Sequence, residues 1–269
     1  KVRGRERSIP ADSIVTNIKN LENIGYKEII LTGTQLGTYG FDITRGPNKL
    51  HLLIEHILEN TTVERLRVSS IQPQEINSGL LRVWENPRVC QHMHIPLQSG
   101  SDVILKNMRR RYTSIQYLDS IAKVKTKFPD LSVTTDIIVG FPGESKKDHL
   151  DTVDLVNAVD FSKLHVFPFS IRPGTTAAHL TDQIGSTVKS VRVDQLIRLG
   201  DEKSRSHRKK LMGTIRPVLW EERKNRKWIG LTDNYVRVCL SDERDLYNTI
   251  NQVLIEEESN GYLNCLIVE

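Results

Sequence analysis

The chain has 269 residues, 38% of them hydrophobic, which allows one large α/β domain with a small appendage and excludes a wholly disordered protein. With 38 Lys and Arg against 33 Asp and Glu the formal charge is only +5, so affinity for a polyanion depends on where the cations sit rather than on their sum. Cys90, Cys239 and Cys265 are far apart without C-x-x-C spacing, and no apolar run approaches the ~18 residues of a membrane span; a disulfide framework, a complete metal knuckle and a transmembrane helix are excluded, and a reducing, cytoplasmic setting is expected.

The opening stretch KVRGRERSIP carries charge with no apolar run behind it and no initiating Met, so it reads as the continuation of a longer protein rather than a signal peptide. Pro10 can open a helix in which Ile14, Val15, Ile18, Leu21 and Ile24 recur at helical spacing. A strand over 28–32 then ends in the glycine-rich GTQLGTYG of residues 33–40. A helix over 50–58 leads to a strand over 65–70, stopping at Ser69, Ser70, Gln72 and Pro73; a helix over 75–84 leads to a strand over 92–96, running into Leu97 to Gly100. Ser101 can cap the next helix, and another through Ile115, Leu118, Ile121 and Val124 precedes VTTDIIVGFPGES, residues 133–145.

That stretch is a β-branched strand broken by Gly140, Pro142 and Gly143 where a helix begins. Asp136 sits inside it, and a buried carboxylate requires a partner residue or a polar ligand. The glycines permit close backbone approach by an anionic or carboxylate-bearing molecule; the alternative is a plain βα turn with Asp136 paired to Arg or Lys. A helix over 150–156 and a strand over 163–167 complete about five β-then-α units. Their strict order predicts a parallel sheet with right-handed crossovers. Polar residues, Gly and Pro gather after every strand, which favours a barrel or open half-barrel over a doubly wound sheet with a single switch point.

Composition changes near Ser204. From Lys203 to Lys227 there are ten Lys and Arg against two Glu, and the tail from Thr214 has short alternating runs that predict a small all-β barrel. The expected fold is therefore α/β, a partial parallel (β/α) barrel over residues 1–205 followed by a small β-barrel over 206–269.

His92 and His94 alternate along one strand and share a face; with Asp136 and His165 they outline a metal-dependent hydrolase, against hydrogen bonding within the barrel. Gln98, Ser99 and Ser101, with Gln35 and the Ser69, Ser70, Gln72 cluster, offer groups suited to a nucleoside or amino-acid moiety, although caps and turns use the same residues. The basic patches are Arg3, Arg5 and Arg7; Lys106 with Arg109 to Arg111, read as a solvated face; and the tail's Arg208, Lys209, Lys210, Arg223, Lys224, Arg226 and Lys227. Beside the tail cations, Trp220, Trp228 and Tyr235 are expected at the surface, where bases stack on aromatics and cations take phosphates.

The order RGRERS (3–8), LTGTQLGTYG (31–40), RVSSIQP (67–73), HMHIPLQSGSDVILKNMRRRYT (92–113), TTDIIVGFPGES (134–145) and LHVFPFSIRPGTTAA (164–178) resembles the radical S-adenosylmethionine methylthiotransferases. The tail, with GLTDNYVRV (230–238), looks like their RNA-binding TRAM domain. The resemblance implies S-adenosylmethionine and [4Fe–4S] clusters as cofactors, the cluster cysteines lying upstream of Lys1 and no metal ligand in this chain. It implies tRNA and an electron-donor protein as partners. TGTQLGTYG and FSKLHVFPFSIRPGTTAA look most like the group that adds a methylthio group to C2 of N6-threonylcarbamoyladenosine at position 37; the isopentenyladenosine group is the alternative. Carried over by position, Gly33, Thr34, Gln35, Ser69, Ser70, Gln72, Gln98, Ser99, Asp136, Gly140, Phe141, Pro142 and Gly143 would line the cofactor pocket. Gln72 departs from the S-S-x-E-P pattern, keeping reach and hydrogen bonding while losing a charge.

Overall fold

A computed structural model describes residues 6–259 and 261–268. Arg3 and Arg5 lie outside the described residues. Five parallel strands alternate with helices: α1 (Ala11–Asn23), β1 (Glu28–Leu31), α2 (Leu50–Asn60), β2 (Arg65–Val68), α3 (Ser78–Val83), β3 (His92–His94), α4 (Asp102–Asn107), α5 (Ser114–Lys127), β4 (Ser132–Val139), α6 (Lys146–Ala158), β5 (Lys163–Pro168) and α7 (Ser186–Leu211).

β1 pairs with β2, β3 with β4, and β4 with β5; a bridge between Leu66 and Val89 joins the two groups. The strands thus stand in chain order, with no switch point, as an open half-barrel. Leu66, Val68, Met93, Ile95, Val133 and Ile137 face the helices and form its core with Ile54, Ile57, Tyr117 and Phe161. Polar side chains start the helices where the sequence offers them: Ser101 accepts from the amide of Ile104, and Thr113 from that of Gln116. The single helix expected over 75–84 is instead a 3-10 turn at Pro73–Glu75 followed by α3, because the Asn77 side chain accepts from Leu80 N and starts the helix anew.

The tail closes on itself. β6 (Ile215–Lys224), β7 (Lys227–Thr232), β8 (Arg237–Leu240), β9 (Ile250–Ser259) and β10 (Tyr262–Ile267) form a barrel in the order β10, β8, β7, β6, β9. α7 runs unbroken through residue 206, where composition places the boundary; the half-barrel core takes its last residue from α7 at Leu196, and the small barrel's core begins at Leu211. Trp220 and Trp228 are not surface platforms. They are 0% and 5% exposed, because a five-stranded barrel needs large side chains to fill its interior, and their indole N–H groups donate to Asn251 Oδ1 and to the carbonyl of Arg244.

Candidate active site at the mouth of the half-barrel

Side chains alternate along a strand, so Glu28, Arg65, Arg67, His92, His94, Thr134, Asp136 and His165 share the concave face. At its lower end Glu28 pairs with Arg65 at 2.8 Å and with Arg67 at 2.7 Å. Burial pushes the Glu28 carboxyl up, but the two guanidinium groups outweigh it and hold the group below its ordinary value. Arg65 also donates to the carbonyls of Leu231 and Thr232, so the small barrel floors the half-barrel at the N-terminal ends of its strands. The sequence reading passed over Arg65 and Arg67, although arginines at alternate positions of RLRV signal a polar inner face.

Higher up, the Thr134 hydroxyl lies 2.9 Å from both His92 Nε2 and His94 Nδ1, and His94 Nε2 meets Asp136 Oδ2 at 3.3 Å. Asp136 therefore has a histidine partner, neither Arg nor Lys. Burial, then the neighbouring Arg67, drives His92 well below its ordinary value and keeps it neutral. Among the described residues no three His, Cys, Asp or Glu are placed to hold a metal ion, so His92, His94, Asp136 and His165 are not brought together as the ligand set that the hydrolase reading needs.

The residues expected at the cofactor sit on the upper rim, at the carboxyl ends of the strands, in separate groups. Gly33, Thr34 and Gln35 line a cavity of about 160 Å³ together with Arg7. Phe141, Pro142 and Gly143 line a second, of about 510 Å³, with Arg109, Arg110, Ile138 and the Thr176–Asp182 stretch. Ser69, Ser70 and Gln72 are half-buried between them, and Gln72 N donates to Glu75 Oε2 at 2.8 Å. Gln98 is held in the left-handed region at φ 65° by backbone bonds to Asp136 and Ile138 on β4, and its side-chain amide has no hydrogen-bond partner among the described residues. Ser99 turns away from the rim. It is 1% exposed, with its hydroxyl 3.3 Å from that of Thr152 on α6.

The Gly140–Gly143 turn is fixed from below: Glu144 Oε2 accepts from Gly140 N at 2.9 Å, and Arg192 on α7 pairs with Glu144. Both glycines have positive φ, 73° and 80°, which other residues adopt with strain. Arg110, read on sequence as solvated, is half-buried on the cavity wall with its Nε enclosed and unpartnered. A guanidinium beside a glycine turn fits a molecule that carries a carboxylate. The cysteines fit no cluster: Cys90 is buried behind Glu28 and Arg67, while Cys239 and Cys265 lie within the small barrel.

The sequence profile of the radical SAM superfamily matches residues 1–156. The chain is 37% identical over 266 residues to the threonylcarbamoyladenosine tRNA methylthiotransferase MtaB of Bacillus subtilis (strain 168), covering 97% of this chain and 59% of that protein. It is 40% identical over 220 residues to the tRNA-2-methylthio-N(6)-dimethylallyladenosine synthase of Thermoanaerobacter sp. (strain X514), covering 81% of this chain and 46% of that protein. The chain spans about half the length of the curated relatives it matches. A solved structure of coproporphyrinogen III oxidase (HemN) from Escherichia coli is similar at a TM-score of 0.47 and 12% identity, covering 77% of this chain and 50% of that one.

Proposed function

Since the chain belongs to the radical SAM superfamily, we propose that it forms the cofactor-binding half-barrel and RNA-binding tail of a tRNA methylthiotransferase, acting at C2 of N6-threonylcarbamoyladenosine at position 37. The observation that carries the reading is the rim itself, where a glycine turn and the half-buried Arg110 line one cavity at the carboxyl ends of an ordered parallel arc. The match to the B. subtilis enzyme across 97% of the chain supports the substrate, as do the segments TGTQLGTYG and FSKLHVFPFSIRPGTTAA.

Arg110 would take the carboxylate of S-adenosylmethionine, Gln98 its nucleoside, and the Phe141–Gly143 turn would close over it. With a [4Fe–4S] cluster beside it, that cofactor would supply radical chemistry toward the target base. The cluster's thiolates come from elsewhere in the protein, because none of the three cysteines here is placed to serve. Glu144 and Arg192 hold the turn in position, and the His94–Asp136 pair presents a fixed polar wall to whatever enters the lumen. The small barrel takes the role of a TRAM module, and Lys209, Lys224, Arg226 and Lys227, all exposed, add cationic surface for RNA.

Nucleoside mass spectrometry of tRNA from a strain lacking the gene tests the reading. Loss of the methylthio group from threonylcarbamoyladenosine is expected. Its retention, with loss from dimethylallyladenosine instead, would move the enzyme to the other group of relatives.

A further inference from the structure

Three of the tail cations assigned to RNA from the sequence are engaged elsewhere. Arg208 pairs with Glu258 at 2.6 Å, Lys210 with Asp160 at 2.6 Å and Arg223 with Glu243 at 2.9 Å. The small barrel is also joined to the wrong end of the strands for direct delivery. It meets Arg65, His92 and, through α7, Ser132, whereas the rim lies past Val139, roughly 20 Å further along β4 at about 3.3 Å per residue.

The mouth shows the reverse pattern. Among the described residues none of Arg109, Arg110, Arg111 or Arg172 has a carboxylate within 4.0 Å. Asp182 shares the cavity wall with Arg109 and Arg110 but lies beyond that distance from both. Arg109 and Arg111 are exposed to either side of the inward-set Arg110, and Arg172 is exposed on the loop whose continuation, Thr176 to Asp182, walls the cavity. Arg109 follows the end of α4 in the left-handed region at φ 59°, its amide donating to Lys106 O and that of Arg110 to Leu105 O, each at 2.9 Å. Glycine fills such a position without strain, and a β-carbon there costs about 1 kcal/mol, so the arginine stands where local geometry opposes it. Planar guanidinium groups that are exposed, unpaired and spread around an opening match phosphates spaced along a strand.

We propose that Arg109 and Arg111, with Arg172 on the loop whose continuation walls the cavity, grip the RNA backbone at the mouth, and that the target base enters the half-barrel from this rim. Arg110 stays with the cavity interior. The tail then contributes a weaker, outlying contact. This rests on the tRNA reading above and names the surface that reading uses.

The test is fluorescence anisotropy of the full-length protein with a labelled anticodon stem-loop, at about 50 and about 200 mM KCl. The variants are R111Q/R172Q, R109Q and the tail set K224Q/R226Q/K227Q. Binding of S-adenosylhomocysteine by R111Q/R172Q and the tail set reports whether the fold and the cofactor pocket are intact. Expected for R111Q/R172Q is a loss of roughly tenfold in RNA affinity and a salt slope shallower by about 2, with S-adenosylhomocysteine binding unchanged, a loss of RNA affinity in R109Q, and the tail set losing less than about threefold. Wild-type RNA affinity and slope in R111Q/R172Q, or a loss carried by the tail set alone, overturns the proposal and leaves the functional reading standing. A wild-type protein that binds no tRNA overturns both.

Discussion

Tyr235 of the small barrel stacks on His92 of the half-barrel, ring centroids 4.5 Å apart and planes at 21°, with the Arg67 guanidinium 4.7 Å from the tyrosine centroid. Tyr235, held in the left-handed region at φ 69°, thus adds to the Arg65 bonds in tying together two cores that, among the described residues, share no buried apolar side chain. Replacing Tyr235 with Ala removes both ring contacts without changing the backbone requirement, and a loss of about 2 kcal/mol is expected in urea unfolding. Tyr235→Phe keeps the stack and should stay within about 0.5 kcal/mol of wild type. Equal losses in the two variants would mean that the ring contacts do not carry the joint.

The same seam makes stability depend on pH. Burial, then Lys125, lowers His207 from 6.5 to about 4, and its Nε2 lies 2.8 Å from Ser132 Oγ. His92 is shifted in the same direction. Folded protein keeps these rings neutral while the unfolded chain takes up protons near the ordinary value. Stability is thus full above about pH 6.5 and falls as pH drops, levelling off for His207 near its folded value of about 4. Between pH ~7 and ~5 His207 alone should account for about 2 kcal/mol. His207→Gln should flatten that slope in denaturant titrations at a series of pH values; an unchanged slope would exclude His207 as its source.

Arg192 holds the Gly140–Gly143 turn through Glu144, whose side chain is 2% exposed against 11% for the arginine. Arg192→Ala leaves a buried carboxylate without its counter-charge, and a loss of about 3–5 kcal/mol is expected. Hydrogen exchange at the Gly140 amide, which donates to Glu144, should accelerate in the same variant. If R192A unfolds within about 1 kcal/mol of wild type, the pair is not what fixes the turn.

How much of this could be read from the sequence follows from what each feature depends on. The strand and helix order was legible because period-2 and 3.6-residue patterns are local, and so was the rim, because Gly, Pro and hydroxyl residues mark strand ends wherever they fall. The partner of Asp136 was not, since His94 meets it through the register of β3 against β4, which no local pattern encodes. Arg65 and Arg67 are buried only because carbonyls and a ring from residues 231–235 cover them, a contact between segments more than 160 positions apart. Trp220 and Trp228 read as exposed among charged neighbours; barrel closure turned them inward. Arg110 looked like its neighbours in an RRR run, and the turn that follows the helix ending at Asn107 sets it apart by leaving it half-buried between the exposed Arg109 and Arg111.

Gly100 gives a test of how tightly the rim is built. A β-carbon there would lie 2.5 Å from Thr152 Cα and 2.6 Å from Asp151 O, both backbone atoms of α6. The helix cannot easily retreat, because Ser101 Oγ donates to Asp148 Oδ1 at 2.5 Å and Ser145 caps the same turn through Asp148 N. Gly100→Ala should therefore cost about 2–3 kcal/mol by pushing the β3–α4 connection off α6. Gly143→Ala offers the contrast, since nothing lies within 4 Å of its β-carbon and only its φ of +80° opposes the change, so about 1 kcal/mol is expected. Because Gln98 and Ser99 directly precede Gly100, the first variant should also weaken S-adenosylhomocysteine binding at temperatures where it remains folded. A Gly100→Ala protein as stable as Gly143→Ala would mean that α6 yields, and that the left-handed Gln98 is held by its two backbone bonds to β4 alone.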